Sequence, residues 1–290
     1  MIKKIMLIFL PLVLLTGSGL CAMEWPLPDA EIVMNFGFNN KGKPSLGTVF
    51  EGEGDINLID AGELIFSFSS DYESASRLPS PLGQWKAIDH GNGLLSIYSR
   101  CENKDGNNES KIDKGGRIAS AGISGWSENK GLFFILYDRK ERRWVNPSMV
   151  ISPFADTVPP SITGIRLRNA NGRLVENSQL RNLSQGRYSV EANVFDAISE
   201  ESNVLLAPYR IICSVNGEEM SNLSLETISA RDGVLMVNRS GFVPALNVYG
   251  PYPAYEAAEV QLNRGQVMLE IIAMDISGNS RSSLIRLIVE

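Results

Sequence analysis

The chain has 290 residues, which is long for one domain and sufficient for two domains with a core each. Its 27 basic and 33 acidic side chains leave a formal charge of -6, and the basic residues form no stripe that would follow a phosphate backbone. The composition therefore predicts a two-domain protein and argues against nucleic acid as a partner.

The first 22 residues have the order of a secretory signal peptide. Two lysines precede the apolar run Ile5–Leu15, and small residues follow up to Ala22. The run is shorter than the ~18 to 20 apolar residues of a membrane-spanning helix, and Pro11 interrupts it. We expect residues 1–22 to be cleaved. The mature chain, without a transmembrane helix, would then be exported to the periplasm or the cell envelope.

The cysteines bear on anchoring and on redox chemistry. Cys21 stands where lipoproteins carry an acylated cysteine, although the bulky Leu20 before it disfavours that modification. A lipid anchor at Cys21 is therefore the minor alternative to plain cleavage. Cys101 and Cys213 fall in different expected domains, so we expect both to remain reduced and buried instead of forming a disulfide.

The first expected domain covers residues 23–153 and consists of short strands joined by tight turns. Ile56–Ser69, for example, predicts two strands on either side of a turn. In the second of these strands, the alternation places Leu64, Phe66 and Phe68 on the inward face. Similar strand and turn patterns continue along the domain, so we expect it to be all-β.

The region around residues 85–146 carries short motifs whose order is more specific than a strand pattern. These motifs, with two that precede them, are Trp25-Pro26, Phe36-Gly37, Asp89-His90-Gly91-Asn92-Gly93, Tyr98-Ser99-Arg100, Lys114-Gly115-Gly116-Arg117-Ile118, Gly122-Ile123-Ser124-Gly125 and Gly131-Leu132-Phe133-Phe134. The series resembles the lysostaphin-type, or LytM-like, zinc metalloendopeptidase domain, which cuts peptide cross-links of cell walls. The resemblance implies a β-barrel or β-sheet domain of that family.

The resemblance also points to the positions of the family's metal and acid/base site. Ser45, Val49 and Phe133 occupy the metal-ligand positions, and Arg100 and Gly131 occupy the catalytic histidine positions. A zinc peptidase needs about three protein ligands and an open position for water. Valine, glycine and phenylalanine side chains have no lone pairs to offer. We therefore expect no zinc cofactor and no peptidase activity.

An active zinc peptidase with substituted ligands is the alternative. Its ligands would have to come from Asp55, Asp60, Asp89 or Cys101. His90 is the single histidine of the chain, and it belongs to the turn motif, where the family does not use it as a ligand. We expect His90 to serve the turn.

The second expected domain covers residues 161–290 and follows a proline-containing linker at 154–160. Strands with a period of two, such as Tyr188–Val194, recur along it without an amphipathic helix. About seven strands over such a length are typical of an antiparallel β-sandwich. The turn Asp275–Asn279 before the last strand resembles that of immunoglobulin-like modules on bacterial surface proteins.

Aromatic residues are the candidates for recognition. Trp85, Tyr98 and Trp126 would line a groove of the first domain, or pack in its core. In the second domain, Tyr249, Tyr252 and Tyr255 lie in a proline-containing loop that either recognises a partner or packs over the edge of the sandwich.

The sequence thus predicts an exported cell-envelope protein whose degenerate peptidase domain binds peptidoglycan or regulates a cell-wall hydrolase. In the family that the sequence resembles, members without zinc ligands can activate other hydrolases. A further alternative places function in the sandwich, which would bind glycan or a partner through the loop Asn247–Tyr255.

Overall fold

The structure is a computed structural model that describes residues 23–69, 80–102, 109–175, 180 and 183–290. The expected signal peptide and Cys21 lie outside the described residues. The predicted all-β, antiparallel architecture is confirmed. No helix among the described residues has the length and hydrophobicity that crossing a membrane requires.

Strands of the first part of the chain are β1 (Glu31–Met34), β2 (Asn39–Asn40), β3 (Lys43–Pro44), β4 (Thr48–Glu51), β5 (Asp55–Asn57), β6 (Gly62–Phe68), β7 (Gln84–Asp89), β8 (Leu94–Cys101), β9 (Lys111–Ile112), β10 (Arg117–Ser120), β11 (Gly131–Asp138) and β12 (Arg143–Val145). A single turn of 3-10 helix, Pro147–Met149, follows β12.

Strands of the second part are β13 (Ser161–Asn169), β14 (Leu174–Val175), β15 (Gly186–Phe195), β16 (Arg210–Val215), β17 (Glu218–Arg231), β18 (Val234–Arg239), β19 (Phe242–Pro244), β20 (Ala254–Leu262), β21 (Gly265–Met274) and β22 (Ser280–Val289). Another short 3-10 helix, Ala245–Asn247, follows β19.

The first part is built on β8 and β11, which lie side by side. β7 flanks β8, and β4 pairs with the beginning of β11. Large side chains from these strands are fully buried and form one core, because both faces of the central strands are covered. Its largest members include Phe50, Tyr98 and Phe134.

The prediction for β6 is wrong in part. Leu64 is half-buried and packs against the core, as expected of an inward face, whereas Phe66 is 47% exposed and Phe68 lies with it on the outer face. A bulge between Leu64 and Phe66 shifts the register against β7, so the simple alternation fails there. Phe66 instead lies against Trp85 on the outer face, with ring centroids 4.6 Å apart.

The second part is a sandwich of two antiparallel sheets. One sheet has the order β14-β13-β15-β20, and the strands β22-β21-β16-β17 belong to the other. Their facing side chains form one core, in which the alternating residues predicted on β15 are buried. Its described residues form ten strands, more than the seven expected, and an immunoglobulin-like topology stays a prediction.

Both cysteines that the structure describes are buried and reduced, as predicted. Cys101 lies in the core of the first part and Cys213 in that of the sandwich. Burial raises the pKa of the Cys213 thiol to about 12, which keeps it protonated and unreactive at neutral pH.

One sheet runs through both parts of the chain. β12 pairs with β11 on one side and with β17 of the sandwich on the other, where Val145 lies opposite Thr227. The linker is also held, since Phe154 stacks on Trp25 with ring centroids 5.0 Å apart. The predicted domain boundaries stay a prediction, but the two parts meet through backbone pairing as well as side chains.

Polar contacts fasten the segment before β4 to the sandwich. The Asn39 Nδ2 donates to the carbonyls of Gly250 at 2.9 Å and Ala254 at 3.0 Å. The Tyr249 hydroxyl donates to the Gly37 carbonyl at 2.9 Å, and both groups are buried. Because a buried polar group without a partner is costly, these contacts fix how the loop before β20 lies on the first part.

We predict that Tyr249→Phe lowers the free energy of unfolding by about 1–3 kcal/mol, since the substitution leaves the buried Gly37 carbonyl without its donor. Urea unfolding followed by tryptophan fluorescence measures the loss. The matched control is Tyr252→Phe, because the Tyr252 side chain is 40% exposed. Equal stability of the two variants would contradict an interface held by the Tyr249 hydroxyl.

Candidate functional site

The sheet brings two of the three predicted metal positions together, one on β4 and one on β11. Phe133 lies directly opposite Val49 on β4, and opposite Ser99 on β8. Directly opposed residues in an antiparallel pair have Cβ atoms about 4.5–5.5 Å apart, which is suitable for ligands of one ion. Here the pair is valine and phenylalanine, and the buried Ser99 hydroxyl donates to the Phe133 carbonyl at 2.8 Å.

The catalytic position at Gly131 has no room for a side chain. A Cβ atom built there would lie 1.9 Å from the Phe50 carbonyl oxygen of β4. At the other end of the same strand pair, a Cβ on Gly47 would lie 2.2 Å from the Phe134 carbonyl oxygen. Because backbone atoms cause both clashes, a histidine at 131 would require β4 and β11 to move apart.

Ser45 and Arg100 occupy the remaining two predicted positions. The Ser45 side chain is buried, and its hydroxyl donates to the Gly47 carbonyl at 2.8 Å. Arg100 has a positive φ of 68° at the end of β8 and is half-buried. Burial lowers the pKa of its guanidinium, while the Glu51 carboxylate acts in the opposite direction. A guanidinium at this position repels a divalent cation.

The alternative zinc ligands do not converge. Asp55 pairs with Arg117 at 2.6 Å, Asp60 accepts from the backbone of its own turn, and Asp89 accepts from Gly91 and Arg139. In the part of the chain that the structure describes, none of these three belongs to a group of three or more ligand side chains that could share an ion, and neither does Cys101.

His90 serves the turn, as predicted. Its Nδ1 lies 3.1 Å from the Ala61 carbonyl, and its Nε2 lies 2.6 Å from the Ser96 hydroxyl. Because a carbonyl can only accept, Nδ1 carries a proton, and in the neutral ring Nε2 would accept from Ser96. The ring therefore joins the β7–β8 hairpin to the beginning of β6.

The structure separates the predicted groove residues. Tyr98 is fully buried, so it belongs to the core and is no groove wall; burial raises the pKa of its hydroxyl far above the usual range. Trp85 is half-buried and forms an outer aromatic face with Phe66 and Phe68. Trp126, on the loop before β11, is 78% exposed. It is the predicted groove residue with the most surface free for contact.

The tyrosine loop packs instead of forming an open recognition surface. Tyr249 and Tyr255 are buried, with ring centroids 5.4 Å apart in an edge-to-face arrangement. Tyr252 alone of the three is exposed, and its ring lies 5.2 Å from that of Phe38. The recognition hypothesis is therefore wrong for Tyr249 and Tyr255. Their packing joins the sandwich to the first part.

Sequence reasoning missed two features of the structure. The partnership of Phe66 with Trp85 depends on the β6 bulge, for which the sequence has no clear signal. A group of carboxylates, Asp156, Asp196 and Asp275, lies away from the predicted site. Each of the three follows a strand or precedes prolines, a pattern that marks ends of elements without showing which ends meet.

We predict that Gly131→Ala lowers the free energy of unfolding by more than about 2 kcal/mol, because its Cβ would displace the β4 backbone. The control is Gly186→Ala at the start of β15, where an added Cβ meets nothing within 4 Å. That variant should differ from the parent by less than about 0.5 kcal/mol. Denaturant unfolding compares them. Equal stabilities would show that position 131 tolerates a side chain.

Comparisons with known proteins were made for the sequence and for the fold. One protein-family model matches residues 159–290, which include the predicted sandwich. No curated protein matches the chain.

Several solved structures are similar to parts of the chain. A variant of the catalytic domain of the prophage-encoded M23 protein EnpA from Enterococcus faecalis has 18% identity, covering 41% of this chain and 90% of that chain, with a TM-score of 0.35. Lysostaphin from Staphylococcus simulans has 15% identity, covering 77% of this chain and 91% of that chain, with a TM-score of 0.35. The SpoIIQ–SpoIIIAH pore-forming complex has 16% identity, covering 45% of this chain and 90% of that chain, with a TM-score of 0.35.

Lysostaphin and an M23 protein are thus among the solved structures similar to this chain. Similarity at this level assigns no activity. The case for function rests on the side chains described above.

Proposed function

We propose that the chain is an exported cell-envelope protein whose LytM-like part is not catalytic and acts as a peptidoglycan-binding or hydrolase-regulating module. The observation that carries the proposal is the cross-strand pair Val49 and Phe133, which stands where the family would hold its metal. Neither side chain can coordinate an ion.

The chemistry of peptide hydrolysis supports the inactive assignment. Zinc peptidases lower the pKa of a bound water and polarise the scissile carbonyl, and both effects need a metal held by about three ligands. In this chain Val49 is buried and apolar, Gly131 has no space for a base, and Arg100 adds positive charge. Restoring one ligand would leave the other requirements unmet.

Exposed aromatic side chains support a binding role for the same part of the chain. Trp126 and Ile123 are exposed on the loop that leads into β11, and Phe66 lies beside Trp85 on the outer face of β6 and β7. Large aromatic rings at the surface supply contact area for sugar rings or peptide at a small cost in side-chain entropy. We therefore propose that these exposed residues contact peptidoglycan or a hydrolase, and that Trp126 is the main one.

The first test is metal content together with hydrolysis. After incubation with excess zinc and dialysis, we expect the purified protein to retain far less than one zinc per chain, because the residues at the predicted ligand positions cannot hold zinc. Turbidity of a peptidoglycan suspension should stay constant over a range of pH and added metals. One tightly bound zinc per chain, with chelator-sensitive clearing of the suspension, would show an active peptidase instead.

The second test is sedimentation with insoluble peptidoglycan. We expect the parent protein to pellet with it and Trp126→Ala to bind about tenfold more weakly, the effect of losing about 1.4 kcal/mol of contact. Phe242→Ala is the matched control, since Phe242 is a 55% exposed aromatic on β19 of the sandwich.

Equal loss in both variants would place binding elsewhere. If the parent protein does not pellet, peptidoglycan is excluded as a ligand, and stimulation of a purified cell-wall hydrolase becomes the measurement that decides the regulatory role. No stimulation would then refute the proposal as a whole.

A further inference from the structure

Three carboxylates from distant parts of the sequence meet where the linker joins the sandwich. Asp156 lies in the linker before β13, Asp196 directly follows β15, and Asp275 directly follows β21. β15 and β21 belong to opposite sheets of the sandwich, so the two strand ends face the linker from both sides. One carboxylate oxygen from each residue lies within 4.8 Å of the others.

The Asp196 carboxylate is buried, and one of its two oxygens has no hydrogen-bond partner among the described residues. The residue is 6% exposed, and the oxygen without a partner is Oδ1. Such an oxygen is removed from water without gaining a hydrogen bond, which costs free energy and is rare in folded proteins.

In the part of the chain that the structure describes, no basic side chain forms an ion pair with the group. Ion pairs do occur elsewhere in the sandwich. Arg281, which contacts the linker from β22, donates through its Nε to the Pro160 carbonyl at 2.8 Å. The negative charge of the cluster therefore remains available to a cation.

Hydrogen bonds from the protein orient two of the carboxylates. The Asn279 backbone N–H and its Nδ2 donate to Asp275 Oδ1 and Oδ2 at 2.9 and 2.8 Å, and the same Nδ2 lies 3.1 Å from the Asp156 carbonyl. The Val158 N–H donates to Asp156 Oδ1 at 2.8 Å. Each carboxylate oxygen keeps a further lone pair, so these bonds position the groups without using up their capacity as ligands.

The backbone fixes the third carboxylate. Asp196 and Leu206 exchange two hydrogen bonds, of 2.9 and 2.8 Å, which close the loop between β15 and β16. Asp196 thus enters the cluster from a closed loop, with its Oδ1 the unsatisfied atom.

We propose that Asp156, Asp196 and Asp275 form a Ca²⁺ site that holds the linker against the sandwich. All three ligands are oxygens, which hard cations prefer, and no histidine or cysteine joins the group to favour zinc or copper. Ca²⁺ accepts several carboxylates in an adaptable geometry, whereas Mg²⁺ keeps most of its water and uses one or two carboxylates. Water and nearby backbone carbonyls would complete the coordination.

The site would join the two parts of the chain. Two residues before Asp156, Phe154 stacks on Trp25 of the first part, with a 19° angle between the rings. A cation bound at Asp156 would therefore fix the linker between an aromatic contact on one side and the sandwich on the other. The inference does not depend on whether the first part binds peptidoglycan.

Calcium titration of the purified, chelator-treated protein tests the site. By calorimetry we expect one Ca²⁺ per chain, and thermal unfolding should shift upwards with Ca²⁺ and much less with Mg²⁺, since ligand binding to the folded state raises Tm. Asp196→Asn and Asp275→Asn should each weaken Ca²⁺ binding at least tenfold. The control is Asp232→Asn in the exposed β17–β18 turn, which should bind as the parent does.

Folding of the variants can be judged separately from binding. In chelator, Asp196→Asn removes a buried charge while preserving shape, so its Tm should equal or exceed that of the parent. The proposal is overturned if the parent shows no saturable binding and no Tm shift up to about 10 mM Ca²⁺, a range beyond the weak extracellular sites. It is equally overturned if Asp196→Asn folds and binds Ca²⁺ like the parent.

Discussion

The backbone pairing of β11 is the interaction on which both parts of the molecule depend. This strand forms hydrogen bonds with β4, β8 and β12, and β12 continues the sheet into β17 of the sandwich. Its side chains fill the core of the first part, with Leu132, Phe134 and Leu136 fully buried. The same strand carries Gly131 and Phe133, so the predicted site positions and the cohesion of the fold depend on one packing arrangement.

The close approach of β4 and β11 suits the apolar side chains at the predicted metal position. A metal site needs space for an ion, its water and its ligands, whereas glycines at 47 and 131 let the two backbones come within contact distance. Once that space is closed, apolar side chains such as Val49 cost nothing to bury, and buried carboxylates or histidines would be left without water. Apolar residues at positions 49 and 133 therefore suit a strand pair as close as this one.

A group of carboxylates lies instead where the linker joins the sandwich. Asp196 and Asp275 are buried at the strand ends of the sandwich, in a setting where uncompensated carboxylates are destabilising. A region that tolerates this cost has either a shared proton or a cation, and the oriented hydrogen bonds from Asn279 and Val158 are suited to the cation. Together with the Tyr249 and Asn39 contacts, the linker makes the junction an ordered part of the structure.

The sequence by itself determined the all-β class, the alternation on β15 and the turn role of His90, because strand periodicity and turn chemistry are local properties. It also gave the residue types at the positions where the resemblance predicts a metal site, and that assignment stays a prediction. Only the tertiary structure decided which residues meet. The β6 bulge turned Phe66 outwards, the sheet through β12 joined the two parts, and Tyr249 and Tyr255 became core residues of the interface.

Asp156, Asp196 and Asp275 are up to 119 residues apart (275 minus 156) and were brought together by strands whose partners lie far away in the sequence. Long-range pairing of this kind leaves no signal in one sequence, because each strand carries the same alternation whichever neighbour it finds.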